Sequence, residues 1–217
     1  MTTKTRVPRA EPLNRAATLP MLVLAAVVVA ALAALVVTLV NDDESAATNF
    51  DADIAAVAGN PLVALPGTGA DPAVGQKAPV VRGHGLTGKQ VTAPVTGKPT
   101  VVLFLAHWCP HCQREVPVVQ RYVDAGRVPK GVGLVAVATA MDPAKPNYPP
   151  SSWLEREGWT SPVLADGNGE AATAYGLPAF PYWVAVGADG RVVERRTGEL
   201  TPDQMDDLFA AAQAGRR

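Results

Sequence analysis

The sequence predicts an α/β domain, a central mixed sheet flanked by helices, preceded by one transmembrane helix. Three observations carry this expectation. An uncharged apolar run of 21 residues, Pro20 to Val40, lies close to the first residue. Two apolar, β-branched segments, Thr100 to Leu105 and Gly133 to Thr139, flank a stretch of helical periodicity, the pattern of a parallel βαβ unit. Two later strand-like segments, Tyr182 to Val186 and Arg191 to Arg196, are joined around Ala188, Asp189 and Gly190, a turn short enough to make them antiparallel.

As a helix, Pro20 to Val40 spans about 31 Å, which matches the apolar thickness of a bilayer. Lys4, Arg6, Arg9 and Arg15 precede it against a single Glu11, and Asn41, Asp42, Asp43 and Glu44 follow. Positive flanks stay in the cytoplasm, so residues 1–19 are expected inside as a short tail, 20–40 as a single-pass anchor, and the rest outside. A cleaved signal peptide is the competing reading, with Ser45, Ala46 and Ala47 as a small-residue site. The apolar run exceeds the usual length of such a peptide, and the acidic turn intervenes. No cysteine stands directly after the run, which excludes a lipoprotein anchor.

Residues 41–75 are rich in Ala, Gly, Pro and Asp and lack sustained periodicity, so they read as a flexible linker. A coil of that length reaches roughly 30–35 Å. The folded domain is expected over residues 76–217, opening with a hairpin of Pro79 to Arg82 and Gln90 to Thr92 around Gly83, Gly85 and Gly88. Thr100 to Leu105 is a central strand buried on both faces. The helix after it begins at Pro110, whose missing N–H and fixed φ suit the first helical position, and it stops at Gly126, with Pro117 inside. The 27 residues between Leu105 and Gly133 suit a right-handed crossover to a parallel neighbour. Ser152 with Glu155 suggests a capping box for a short helix over Trp153 to Glu157, and Asn168 a cap for another ending at Gly176. Thr201, Pro202 and Gln204 open a last helix reaching Gln213.

At 217 residues the chain can bury a core without structural disulfides. The net charge is −1 and no basic cluster stands out, so nucleic acid is not an expected partner. The only two cysteines, Cys109 and Cys112, stand in HWCPHC with His107 and His111.

Three stretches carry a resemblance: GQKAP at the domain start, FLAHWCPHCQREVP, and AYGLPAFPYWVAVGADGRVV. From Gln76 to Arg196 the chain resembles the thioredoxin superfamily, and more closely its membrane-tethered extracytoplasmic branch, the TlpA-like thioredoxins. The resemblance implies a thioredoxin fold, a redox-active Cys109–Cys112 pair, a cis-proline at Pro181 and no cofactor. Three departures stand out. Phe180 precedes Pro181 where the family has a smaller residue, and Pro178 is a second candidate for the cis bond. The dipeptide Pro-His is similar to that of bacterial periplasmic disulfide oxidases. Leu103 stands where cytoplasmic thioredoxins have a buried Asp.

Cys109, at a helix N-terminus, faces unpaired N–H groups and the positive end of the dipole, which favour thiolate; it is the expected nucleophile. Cys112, one turn further in, resolves the mixed disulfide. His111 can stand beside the Cys109 sulfur and stabilise the reduced thiolate, which makes the disulfide more oxidising. His107 either tunes the same thiolate or faces substrate at the rim. Glu115 matches an acid of the TlpA-like reductases and could take a proton from Cys112; an exposed surface role is the alternative. Trp108, Phe180 and Pro181 are expected to meet an extended substrate peptide.

The expected function is protein disulfide exchange outside the cytoplasm. The dipeptide tips the direction toward oxidation, against a branch that is mostly reducing, for example in cytochrome c maturation. Partners would be protein thiols and disulfides, with a quinone-linked oxidase or a thiol shuttle in the membrane. A copper- or zinc-binding role on the same fold is the reading from another class, using His107, Cys109, His111 and Cys112. No second cysteine pair completes a structural zinc site, and a peroxidase lacks its lone preceding cysteine.

Overall fold

The structure, a computed structural model, describes residues 50, 53 and 55–215. Eight strands and four helices lie among them, in the order β1 (Ala56–Ala58), β2 (Val80–His84), β3 (Gln90–Ala93), β4 (Thr100–Leu105), α1 (Pro110–Asp124), β5 (Gly133–Thr139), α2 (Pro150–Arg156), β6 (Val163–Asp166), α3 (Glu170–Ala174), β7 (Tyr182–Val186), β8 (Val192–Thr197) and α4 (Pro202–Ala214).

The main sheet has five strands in the order β6-β5-β4-β7-β8. β4 runs parallel to β5 and β5 to β6, whereas β7 is antiparallel to both β4 and β8, so the sheet is mixed as expected. Every residue of β4 is buried, which follows from its central place. Alternation along β4 divides the core. Val101, Leu103 and Leu105 face α1 and α4, packing with Val116, Val119, Met205, Leu208 and both cysteines. Val102 and Phe104 face the other way, toward Tyr175, Tyr182 and Val81. Leu103 is thus an ordinary member of the first layer.

The opening hairpin pairs with β1 in a second, three-stranded antiparallel sheet. Gly83 and Gly85 permit close approach to β6: a Cβ on Gly85 would lie 3.0 Å from the Val163 carbonyl oxygen.

Four expectations need correction. The stretch read as a linker is, from Ala55 onward, part of the domain. β1 pairs with β2, the Leu62 N–H donates to the Ala174 carbonyl at 2.7 Å, and Asp71 meets the guanidinium of Arg195. Strand β6 was not anticipated; it has only four residues and ends on Asp166. The helix expected from Ser152 starts at Pro150 and has no side-chain cap, so Ser152 lies inside it. Asn168 is not the main cap of α3: the buried Asp166 carboxylate accepts from the N–H groups of Ala171 and Ala172, both at 3.0 Å, and from the Thr139 hydroxyl at 2.7 Å. The capping box of α4 is as expected, with Thr201 and Gln204 bonding reciprocally.

Among the described residues no helix is long and apolar enough to cross a membrane. The expected anchor, 20–40, lies outside them.

Candidate active site

The cysteine motif sits where the buried strand β4 hands over to α1. Cys109 is the N-cap, extended at φ −75° and ψ 121°, with Pro110 opening the helix. Its N–H donates to the Ala106 carbonyl at 3.0 Å and its carbonyl accepts from Gln113 at 3.0 Å, which fixes the turn. No side chain caps the helix, so its first N–H groups face the Cys109 position. Both cysteines are thiols here. Cys109 is 7% exposed and Cys112 not at all, the asymmetry a nucleophile and a resolving residue require. The Ala106 N–H donates to the Cys112 sulfur at 3.5 Å. Burial pushes the Cys112 thiol far up; that N–H works against the rise, and the nearby Cys109 and Glu115 add to it.

Glu115 is buried, which rules out the exposed surface role. Its Oε1 accepts the Leu200 N–H at 2.9 Å, from the loop between β8 and α4. Burial pushes its carboxyl up to about 7; the Leu200 N–H opposes the rise and the charge of Glu199 contributes to it. A carboxyl that titrates near neutrality behind a buried thiol can both take and return a proton.

The peptide between Phe180 and Pro181 is cis, while that before Pro178 is not among the cis bonds of the described residues. Phe180 stands edge-on to Trp108, ring centroids 6.1 Å apart, and the Trp108 indole N–H donates to the Ala140 carbonyl at 2.7 Å. Trp108 and Phe180 both pack against the core cluster that holds the two cysteines, and Pro181 is buried next to Phe180.

The two histidines of the motif depart from expectation. His107 is buried and so does not line the rim: its Nδ1–H donates to the Pro146 carbonyl at 2.7 Å, and its Nε2 accepts the Asp142 N–H at 3.2 Å. Both ring nitrogens serve the 140–149 loop, which leaves no lone pair to join a four-residue metal site. His111 was expected on the Cys109 sulfur; its Nδ1 instead lies 2.7 Å from Glu199 Oε1 and 2.8 Å from Arg114 Nη2.

Sequence reasoning missed Arg114, Glu199 and the 140–149 loop. Arg114, three residues after His111 and on the same helix face, was within reach of a spacing argument. Glu199 was not, because it comes from a turn 88 positions away from His111.

Residues 73–211 match the Redoxin family. The chain is 24% identical over 122 residues to the sporulation thiol-disulfide oxidoreductase A of Bacillus subtilis, covering 56% of this chain and 73% of that protein. It is 27% identical over 138 residues to the thiol-disulfide oxidoreductase ResA of Bacillus thuringiensis, covering 63% and 76%. The crystal structure of StoA from Bacillus subtilis superposes with a TM-score of 0.53 at 25% identity, over 63% of this chain and 98% of StoA.

Proposed function

The chain belongs to the Redoxin family as a TlpA-like member of the thioredoxin superfamily, and on that premise we propose that it is an extracytoplasmic protein disulfide oxidoreductase anchored through residues 20–40. The observation that carries the reading is the pair itself: a slightly exposed sulfur at a helix N-cap, a wholly buried one a turn below, and a buried carboxyl behind the second.

In the oxidising direction a substrate thiolate attacks Cys109 Sγ and breaks the Cys109–Cys112 bond. Cys112 leaves as a thiolate and, being buried, takes a proton, which Glu115 supplies. The second substrate thiolate then attacks the substrate sulfur and expels the Cys109 thiolate. Two electrons pass from the substrate dithiol to the pair, and a membrane partner, a quinone-linked oxidase, removes them. Reduction runs the same steps backward with a thiol shuttle as the electron source. Throughout, Trp108, Phe180 and Pro181 hold the substrate backbone against the rim.

We put oxidation first, because the helix N-terminus and the Arg114 guanidinium favour the thiolate of the reduced form, and because the Pro-His dipeptide is similar to that of periplasmic disulfide oxidases. Reduction is the second reading, favoured by Glu115: a base near Cys112 speeds the resolving attack in that direction. The reduction potential of wild type and His111→Ala decides. A value well above about −270 mV, falling in the variant, supports oxidation; one near that of thioredoxin and unmoved overturns it.

A further inference from the structure

We propose that Glu199 is a positioning residue that restrains the oxidising strength of the Cys109–Cys112 pair by neutralising the Arg114 guanidinium of the active-site helix. The proposal rests on the thiol-disulfide reading above.

Glu199 Oε1 lies 2.7 Å from His111 Nδ1 and 2.6 Å from Arg114 Nη2, and Arg114 Nε reaches Oε1 and Oε2 at 3.1 and 3.3 Å. Two features separate this from an accidental surface pair. The carboxylate receives the guanidinium through two nitrogens, a geometry with directional specificity. The residue is also held from both sides: the Gly198 N–H donates to the Pro181 carbonyl at 2.9 Å, and the Leu200 N–H donates to Glu115. Three successive residues of one loop thus grip the peptide-docking strand, the outer face of α1 and the buried acid.

The sign follows from where charge resides in each redox state. The thiolate exists only in the reduced form, so a cation near Cys109 stabilises that form and makes the disulfide more oxidising. Arg114 is such a cation: Glu199 chiefly stabilises its charge, and a Cys109 thiolate adds to that. Glu199 cancels part of this field. Its own charge also contributes to the rise at Glu115, so one carboxylate acts on the surroundings of both cysteines. These side chains are substantially exposed, 59% for His111, 56% for Arg114 and 36% for Glu199, so the expected effect on potential is moderate.

The test uses the full-length chain in detergent micelles, equilibrated with glutathione buffers at low salt. Glu199→Gln is expected to shift the equilibrium constant toward the reduced pair by about fivefold, some 20 mV. Arg114→Gln should shift it the opposite way, and Glu199→Asp should stay near wild type. In the Glu199→Gln variant the Glu115 carboxyl, followed by NMR, should titrate at lower pH. An unmoved potential in Glu199→Gln, or an equal shift in Glu199→Asp, overturns the proposal while leaving disulfide exchange intact. A wild-type chain that forms no Cys109–Cys112 disulfide in these buffers overturns the functional reading and this proposal with it.

Discussion

Arg195 and Arg114 each hold a carboxylate through two nitrogens, yet the first side chain is wholly out of solvent and the second more than half exposed. Arg195 grips Asp71 through Nε and Nη2, and its Nη1 donates to the Val63 and Tyr175 carbonyls and the Tyr182 hydroxyl. Every partner is fixed, so this ion pair is part of the frame: it ties residues 63–71 to β8. Burial works against the Asp71 carboxylate, but the Arg195 contacts and the Ala73 N–H outweigh it and hold the group below the usual carboxylate range. The Arg114 cluster is open to water and within electrostatic reach of Cys109. The same chemistry maintains the fold at one place and, on the proposal above, tunes the cysteine pair at the other, with solvent access as the difference.

The largest expected effect lies on the buried side. Arg195→Ala leaves the buried Asp71 carboxylate without its countercharge and the Val63 carbonyl without its side-chain donor, and should cost about 3–5 kcal/mol in denaturant unfolding. Replacing both Arg195 and Asp71 by apolar residues of similar size should cost much less, because no orphaned charge remains. Equal losses in the single and double variants would mean that packing, and not the ion pair, holds the strap of residues 63–71 to β8.

Glu115 lies between the two extremes, buried yet titratable near neutrality. Its carboxyl titrates at about 7 in the native state, against an ordinary value near 4.5. Between these values the native state holds more protons than the unfolded one, so stability falls as pH rises through that window, by roughly 3 kcal/mol at most. Glu115→Gln keeps an acceptor for the Leu200 N–H and should abolish the slope, unfolding later than wild type at pH 8. It should also slow resolution of a trapped mixed disulfide. A slope that persists in the variant assigns it to another group.

His107 should behave as frame despite its place in the motif. His107→Ala removes two hydrogen bonds to the 140–149 loop, worth about 1 kcal/mol each. The expected result is faster hydrogen exchange at the Asp142 amide with an unchanged potential. A shifted potential would return His107 to the redox machinery.

The contrast also explains what could be read in advance. β4 and β5 were legible because six- and seven-residue apolar runs have few alternatives, and the cysteine turn because Pro110 marks a helix start. Phe180 and Pro181 came from resemblance alone. The strap was invisible: β1 has three residues, and Leu62, Val63 and Asp71 make scattered contacts that impose no period. The acid at the end of β6 looked like loop because its partners, Thr139 and the start of α3, are known only once the chain is folded. The outer cluster failed for the same reason. His111 was seen without Glu199, and its sulfur contact was inferred from proximity in sequence.

Salt gives the smallest effect and the cleanest separation of the two clusters. Raising potassium chloride from 0.1 to 1 M shortens the screening length from about 10 Å to about 3 Å, which weakens exposed charge interactions and leaves dry ones nearly intact. The difference in potential between wild type and Glu199→Gln should therefore shrink into measurement error by 1 M, while the stability loss of Arg195→Ala persists. If the Glu199 difference survives high salt, its action is mechanical, passing through the Leu200 bond to Glu115, and the electrostatic account fails. If the Arg195 loss fades instead, the strap is solvated more than its geometry indicates, and the two clusters differ in degree and not in kind.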